Sequence, residues 1–396
     1  MTFSLLVGLK NNLAYSQYFY SQTRSLYPTI EIVFVSFNST DGTHQWLASL
    51  HDSHVRYYVE DRERTLSDTY NKCIELATSD YVIFAHNDMV LAPGFIEELT
   101  AVQTPQRVIF YTTVEPPIFK DDPRPGKIVQ DFGSDVDTFQ LSAFFQFAAA
   151  ECQRNNRSGQ TAIATDKGVF FLSASRSLLH ELGGLDPLFN PMFCEDDDLL
   201  LRLGLKGVAM YVAPNALCYH FVSKTSRFSD EYANRTAQIE HQSRRNFVRK
   251  WGFANNATIR HTYDIGLILT NGDVDTLREL EPWVSTVYTD MDARSYVKQE
   301  QPHTRIDLSE KIKPLTTKPT NGILVALNAG KANSEQRQQI AFLSAIIHHR
   351  INKRQSFWKR QWRRLFPVVT WQGYRIRIID PTTFETKLIH KKLTYV

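Results

Sequence analysis

The strongest constraint on this chain is the way its first 220 residues alternate short apolar, β-rich runs with polar helical stretches. SLLVGLK is followed by a polar helical pattern over about 13–25, then IEIVFVSF, then a helical pattern after Thr43. VRYYV, a helical pattern near 67–77 and YVIFAH make a third cycle. Strands that alternate with helices in this way form a parallel sheet with crossover helices, and YVIFAH is apolar enough to be covered on both faces. Ligands of open α/β sheets bind beyond the carboxyl ends of the strands. Chemistry is therefore expected at residues 36–41 and 86–88.

The rest of the chain fits a two-part plan. After Gly94 the pattern is less regular, and the Pro-rich EPPIFKDDPRPGK reads as a surface loop. LSAFFQFAAAECQ then reads as a buried helix. GVFFLSAS and VAMYVAP read as strands, with RSLLHELGG and EDDDLLLRLGLKG as helices between them. A basic helix over 231–251 closes this unit. DIGLILT, VSTVY and ILVALN then begin a second β/α series, so the expected division is a larger α/β domain over 1–256 and a smaller α/β domain over 257–396.

Composition removes several classes. At 42% hydrophobic and 22% charged residues the chain is globular, because disorder requires low hydrophobicity together with high net charge. A net charge of +3 is too small to argue for a polyanion partner. Cys73, Cys152, Cys194 and Cys218 are too scattered for a CxxC zinc or redox site and read as reduced thiols, which suits a cytoplasmic location. The opening MTFSLLVGLKNN reads as a strand and not as a signal peptide, and no run approaches the roughly 18 to 20 apolar residues of a membrane span.

Four segments carry chemistry. NSTDGT, after an apolar strand and before a helix, offers backbone N–H groups to an anionic or nucleotide ligand, although turn and cap formation alone would also explain it. In FAHNDMVLAPGF, Asp88 and His86 lie on one face of an extended chain and can hold a divalent cation through O and N ligands; the plain alternative is a solvated loop. In FNPMFCEDDDLLLRLGLKG, the run from Glu195 through Asp196 and Asp197 to Asp198 exceeds what a helix dipole requires, so one ionised carboxylate is available as a general base. Asp198, one turn on from Glu195, reads as positioning groups or bracing the helix. In VAPNALCYHFVSKTSR, His220 can complete a metal shell, and Lys224 with Arg227 can compensate a pyrophosphate.

In this order and spacing the four segments resemble the inverting glycosyltransferase family 2, of GT-A fold, over about residues 5–252. The stretch ELGGLDPLFNPMFCEDDDLLLRLGLKGVAMYVAP followed by His220 is similar to the family's acceptor-side region with its ED motif and downstream histidine. SDTYNKCIELATSDYVIF resembles the helix and strand that lead into the family's metal motif, and NFVRKWG also looks familial. The resemblance implies a GT-A, Rossmann-like domain with a smaller C-terminal α/β domain, and a metal-dependent enzyme that moves a sugar from a nucleotide-diphosphate donor, first of all a UDP-sugar, to a hydroxyl of a glycan or glycolipid. Asp88 then stands where the family has the last Asp of its DxD, holding Mn2+ or Mg2+ with His220 and His86. Asp196 stands as catalytic base, with Glu195 and Asp197 on the acceptor side. Ser36, Asn38, Asp41, Asp68, Asn87, Lys224 and Arg227 form the donor side.

Two positions depart from the pattern: Ser36 replaces the usual Asp after the second strand, and His86 replaces the first Asp of DxD. They keep an alternative open, a GT-A-like module that binds carbohydrate or nucleotide with impaired turnover. A basic stretch with interleaved Trp358 and Trp362, part of a helix expected near 334–366, suits an anionic membrane surface or equally a helix packed on the protein; nucleic acid is not expected.

Overall fold

The computed structural model describes residues 1–62, 64–121, 124–222, 234–352 and 368–389. The chain divides into two compact units, 1–239 and 240–396. The division falls inside the basic helix expected to close the first unit.

In the first unit the expected β/α cycles are present. They are β1 (Phe3–Leu9), α1 (Leu13–Leu26), β2 (Glu31–Phe37), α2 (Thr43–Ser49), β3 (Val55–Glu60), α3 (Leu66–Leu76) and β4 (Tyr81–His86). These strands pair in parallel in the order β3-β2-β1-β4. Leu5, Leu6, Val7, Val33, Phe34, Val82, Ile83 and Phe84 are all fully buried, because helices cover both faces. Each such side chain stabilises the unit by roughly 1.5–3 kcal/mol relative to exposure.

Beyond β4 the sheet changes character. The chain continues through β5 (Met89–Leu91), α4 (Phe95–Val102), β6 (Arg107–Glu115), β7 (Lys127–Val129), α5 (Leu141–Arg157), β8 (Ile163–Ala164), β9 (Leu172–Ser175), α6 (Arg176–Leu182), α7 (Glu195–Leu205) and β10 (Ala209–His220). Strand β9 runs antiparallel between β4 and β6, β10 lies parallel to β6, and β5 pairs antiparallel with β10. The segment after Gly94 is thus more regular than its sequence suggests. RVIFYTTVE is a nine-residue strand with eight buried positions; it pairs with the nearby β7 at its end and otherwise with β9 and β10, which are distant in the chain. The carboxyl ends of β1, β2, β4, β6 and β10 all supply residues to one cavity, as the switch-point rule requires.

One glycine sets the floor of that end. A Cβ at Gly8 would lie 2.9 Å from Thr69 Cγ2 and 3.0 Å from Tyr70 Cε2. Its absence lets α3 approach β1, and Tyr70 donates to the Ala85 carbonyl at 2.7 Å.

The second unit contains most of α8 (Thr236–Trp251), then β11 (Ile265–Thr270), α9 (Val274–Leu280), β12 (Thr286–Thr289), α10 (Arg294–Glu300), α11 (Leu308–Lys311), β13 (Ile312–Pro314), β14 (Ile323–Asn328), α12 (Ser334–Gln338), α13 (Leu343–Asn352), β15 (Val368–Trp371) and β16 (Tyr374–Ile378). Its sheet runs β13-β12-β11-β14-β16-β15, with the first four strands parallel. The smaller α/β domain is present as expected. The hairpin of β15 and β16, turning at Gln372 and Gly373 with φ of 46° and 84°, extends it. The expected basic helix begins as α12 and α13, and its cation- and Trp-rich part from 353 lies outside the described residues.

A buried ion cluster ties this unit together. Glu281 is 0% exposed, receives Arg249 Nη2 at 2.8 Å and Lys311 Nζ at 2.6 Å, and accepts from Tyr296 Oη at 2.7 Å. Burial alone would raise the Glu281 pKa, but the Arg249 and Lys311 charges hold it well below the usual carboxylate range. A depressed carboxylate pKa stabilises the fold above the ordinary Glu value of about 4.3 and loses that contribution as pH falls below it. Glu281→Gln is expected to destabilise this unit by about 3 kcal/mol at pH 7, since buried Lys311 loses its counter-charge and Arg249 keeps only Glu300, 2.6 Å away. Calorimetric scans of wild type and variant at pH 7 and at acid pH check this: the gap should narrow on acidification, and a constant gap would contradict it.

Candidate active site

The strand ends enclose a cavity of about 570 Å³, within the range of small-molecule sites. At its floor, β4 ends in His86, the next turn carries Asp88, and β10 ends in His220. One ligand atom from each of the three lies within 4.8 Å of the others. His86 Nδ1 is 3.9 Å and His220 Nε2 3.5 Å from Asp88 Oδ1. His220 Nε2 is buried and, among the described residues, meets no hydrogen-bond partner of good geometry. Two imidazoles and a carboxylate converging on one buried point form a donor set that fits a manganese-like divalent cation once the His220 proton is given up.

The surroundings place opposite demands on the two imidazoles. Burial pushes the His86 pKa down to about 4, so this ring is neutral at pH 7. Burial acts the same way on His220, but the carboxylates of Asp88 and Glu115 outweigh it and raise its pKa to about 9. Glu115 ends β6 with its carboxylate 3.0 Å from His220 Nδ1. Burial would raise the Glu115 pKa, yet the His220 bond and the His220 and Arg124 charges bring it down to about 2. Arg124 bonds Glu115 and sits over the Phe171 ring, 5.4 Å from its centroid. Lys10, Arg64 and Arg124 all line the cavity and give it cationic walls.

The four consecutive acids of α7 separate into different states. Asp198 is fully buried and accepts from Arg202 Nε at 2.8 Å; Arg202 in turn donates to the carbonyls of Leu182 and Gly184. Asp198 therefore braces the helix. Glu195 is buried, and burial followed by the Asp196 charge raises its pKa well above normal. Asp196 and Asp197 are half-buried, and Asp196 Oδ1 accepts from the Asp197 N–H at 2.9 Å. Pro191 and Met192, from the loop that leads into α7, line the cavity; Asp196 is not among the lining residues.

The other expected residues are placed as follows. Asn87 is buried, lines the cavity and donates to Ser16 Oγ at 3.0 Å. Ser36 is fully buried, with its hydroxyl 2.8 Å from Ser39 Oγ and 3.1 Å from His44 Nε2. Asn38 takes the left-handed turn after β2, with φ 51°. Asp41 accepts from Leu13 N at 2.8 Å and from Thr43 Oγ1 at 2.6 Å, which caps α1 and fixes the NSTDGT turn. Asp68 accepts from Asn190 Nδ2 at 2.9 Å and so ties α3 to the loop before α7. None of Ser36, Asn38, Asp41 and Asp68 lines the cavity. Lys224 and Arg227 lie outside the described residues.

Sequence reasoning missed Glu115, Arg124 and Tyr70. The Pro-rich loop expected at the surface reaches the cavity through Phe119 and Arg124. A carboxylate closing an apolar strand, as in VIFYTTVE, was the available signal for Glu115.

Residues 11–144 match the profile of the family described as Glycosyl transferase family 2. Among solved structures, the mannosyltransferase PcManGT from Pyrobaculum calidifontis, in complex with GDP-Man and Mn2+, is 18% identical over 57% of this chain and 58% of its own, with a TM-score of 0.38. GalNAc-T7 with UDP, GalNAc and Mn2+ is 11% identical over 63% of this chain and 50% of its own, with a TM-score of 0.43. S. aureus TarS 1-349 is 12% identical over 66% of this chain and 67% of its own, with a TM-score of 0.40. The similarity thus spans little more than half the length of the first of these and half of the second. No curated protein matches by sequence. No helix among the described residues is long and apolar enough to cross a membrane. The matched profile identifies residues 11–144 as a glycosyltransferase family 2 domain, of GT-A fold.

Proposed function

We propose that this protein is a metal-dependent, inverting glycosyltransferase that moves one sugar from a nucleotide-diphosphate donor, first of all a UDP-sugar, to a hydroxyl of a glycan or glycolipid. The observation that carries this reading is the convergence of His86, Asp88 and His220 within 4.8 Å at the floor of a cation-walled cavity. Asp88, His86 and His220 would hold Mn2+ or Mg2+, which supplies charge neutralisation for a diphosphate leaving group.

The chain's own residues account for the remaining work. Lys10, Arg64 and Arg124 bind and orient the donor phosphates. The loop of Pro191 and Met192 shapes the acceptor side, where Asp196 removes the proton from the acceptor hydroxyl as its oxygen attacks the anomeric carbon. The new C–O bond forms on the face opposite the breaking bond, and the bonding pair departs with the diphosphate. Inversion follows from that geometry. With Asp198 held by Arg202, the base role is assigned to the half-buried Asp196, with Glu195 and Asp197 beside it on the acceptor side.

A panel of nucleotide sugars offered with Mn2+ tests the reading. One donor, expected to carry UDP, should stabilise the protein by about 2.7 kcal/mol at a hundred times its Kd and should be hydrolysed slowly without acceptor. Stabilisation without any hydrolysis or transfer would favour the binding module. No response to any donor at millimolar concentration would exclude both.

A further inference from the structure

We propose that Glu115 is a positioning residue for the metal site: it holds His220 in the one tautomer and orientation that presents Nε2 to the Asp88 side. This rests on the metal role of His220 proposed above. An imidazole binds a cation through a lone pair on one nitrogen, and the hydrogen bond made by the other nitrogen decides which one is presented.

The arrangement is built into the sheet. Strands β6 and β10 run parallel with Val114 opposite Tyr219, so the next residue of each, Glu115 and His220, emerge side by side at the strand ends. Glu115 Oε1 lies 3.0 Å from His220 Nδ1, while His220 Nε2 faces Asp88 Oδ1 at 3.5 Å. Glu115 accepts the Nδ1 proton, which leaves Nε2 on the cluster side.

Glu115 is itself held from several directions. Its carboxylate accepts from Thr113 Oγ1 at 3.0 Å, bonds Arg124, and lies 3.6 Å from Lys127 Nζ; the Glu115 and Lys127 side chains are each 2% exposed. Its own carbonyl accepts from Gln130 N at 2.9 Å. A carboxylate this fixed cannot follow a rotating imidazole, so it determines the ring's orientation. Arg124 also lines the cavity, so one guanidinium touches both the carboxylate behind the ligand and the space a donor would fill.

Mn2+ uptake by the full chain without donor, followed by loss of the free-ion EPR signal, is the direct test. Glu115→Gln keeps the shape and removes the charge, and the double variant Glu115→Gln with Lys127→Met removes the buried lysine that would otherwise lose its counter-charge. Both are expected to weaken Mn2+ binding by about 10- to 100-fold, with Lys127→Met alone within about twofold of wild type. Unchanged Mn2+ affinity in the double variant, with only its melting temperature lowered, would overturn the inference and leave the proposed function standing. Absence of Mn2+ uptake by wild type would overturn both.

Discussion

Asp88→Asn is expected to lower sugar transfer by about a thousandfold, equivalent to roughly 4 kcal/mol of leaving-group stabilisation. Asp88 is 2% exposed and central to the cluster, 3.9 Å from His86 Nδ1 and 3.5 Å from His220 Nε2. His86 stands where the family pattern has a second carboxylate, so Asp88 is the only acid of the three cluster residues. Its neutral isostere would leave the cation on two imidazoles, with no anionic ligand among them. Transfer rates at saturating donor and Mn2+, alongside Mn2+ uptake, check this. Loss of both is the expected result, and a variant within tenfold of wild type would show that Asp88 does not hold the ion.

The second large effect is expected at the base. Asp196→Asn should reduce kcat by about 10²- to 10⁴-fold, the usual contribution of a positioned proton acceptor, with donor affinity preserved because the metal and phosphate ligands are untouched. The neighbouring acid provides the contrast. Asp198→Asn should act on stability, because it takes the carboxylate from Arg202, which is 3% exposed and pins the helix to Leu182 and Gly184. Steady-state kinetics paired with urea unfolding separate the two. Equal loss of activity in both, or none at Asp196, would place the base elsewhere.

The parts of this fold that were legible in the sequence were those specified locally. β1, β2 and β4 are continuous apolar runs between turn signals. The pairing of His86 with Asp88 rests on their sharing a face of an extended chain; the structure brings them together, but with Asp88 in the turn after β4. β6 was not legible as part of that series, because it is flanked in the sheet by β9 and β10 and belongs to no consecutive β/α cycle. The His220–Glu115 contact joins residues 105 apart in sequence, and only the β6–β10 register brings them together. Arg124 was hidden for a related reason: a loop of Pro, Asp and Lys looks solvated until a buried carboxylate supplies a partner. Asp41 and Asp68, expected on the donor side, are bonded to α1, to the NSTDGT turn and to Asn190. Acidic side chains at strand ends serve loop closure as readily as ligand binding.

The most direct measurement is anomalous diffraction at the manganese edge from crystals soaked with Mn2+ and UDP. The account predicts one strong peak in contact with Asp88, His86 and His220, the diphosphate beside Lys10, Arg64 and Arg124, and the Asp196 carboxylate within a sugar's width of the same cavity. A peak at any other site, or Asp196 turned away so that no hexose could meet both it and the ion, would contradict it.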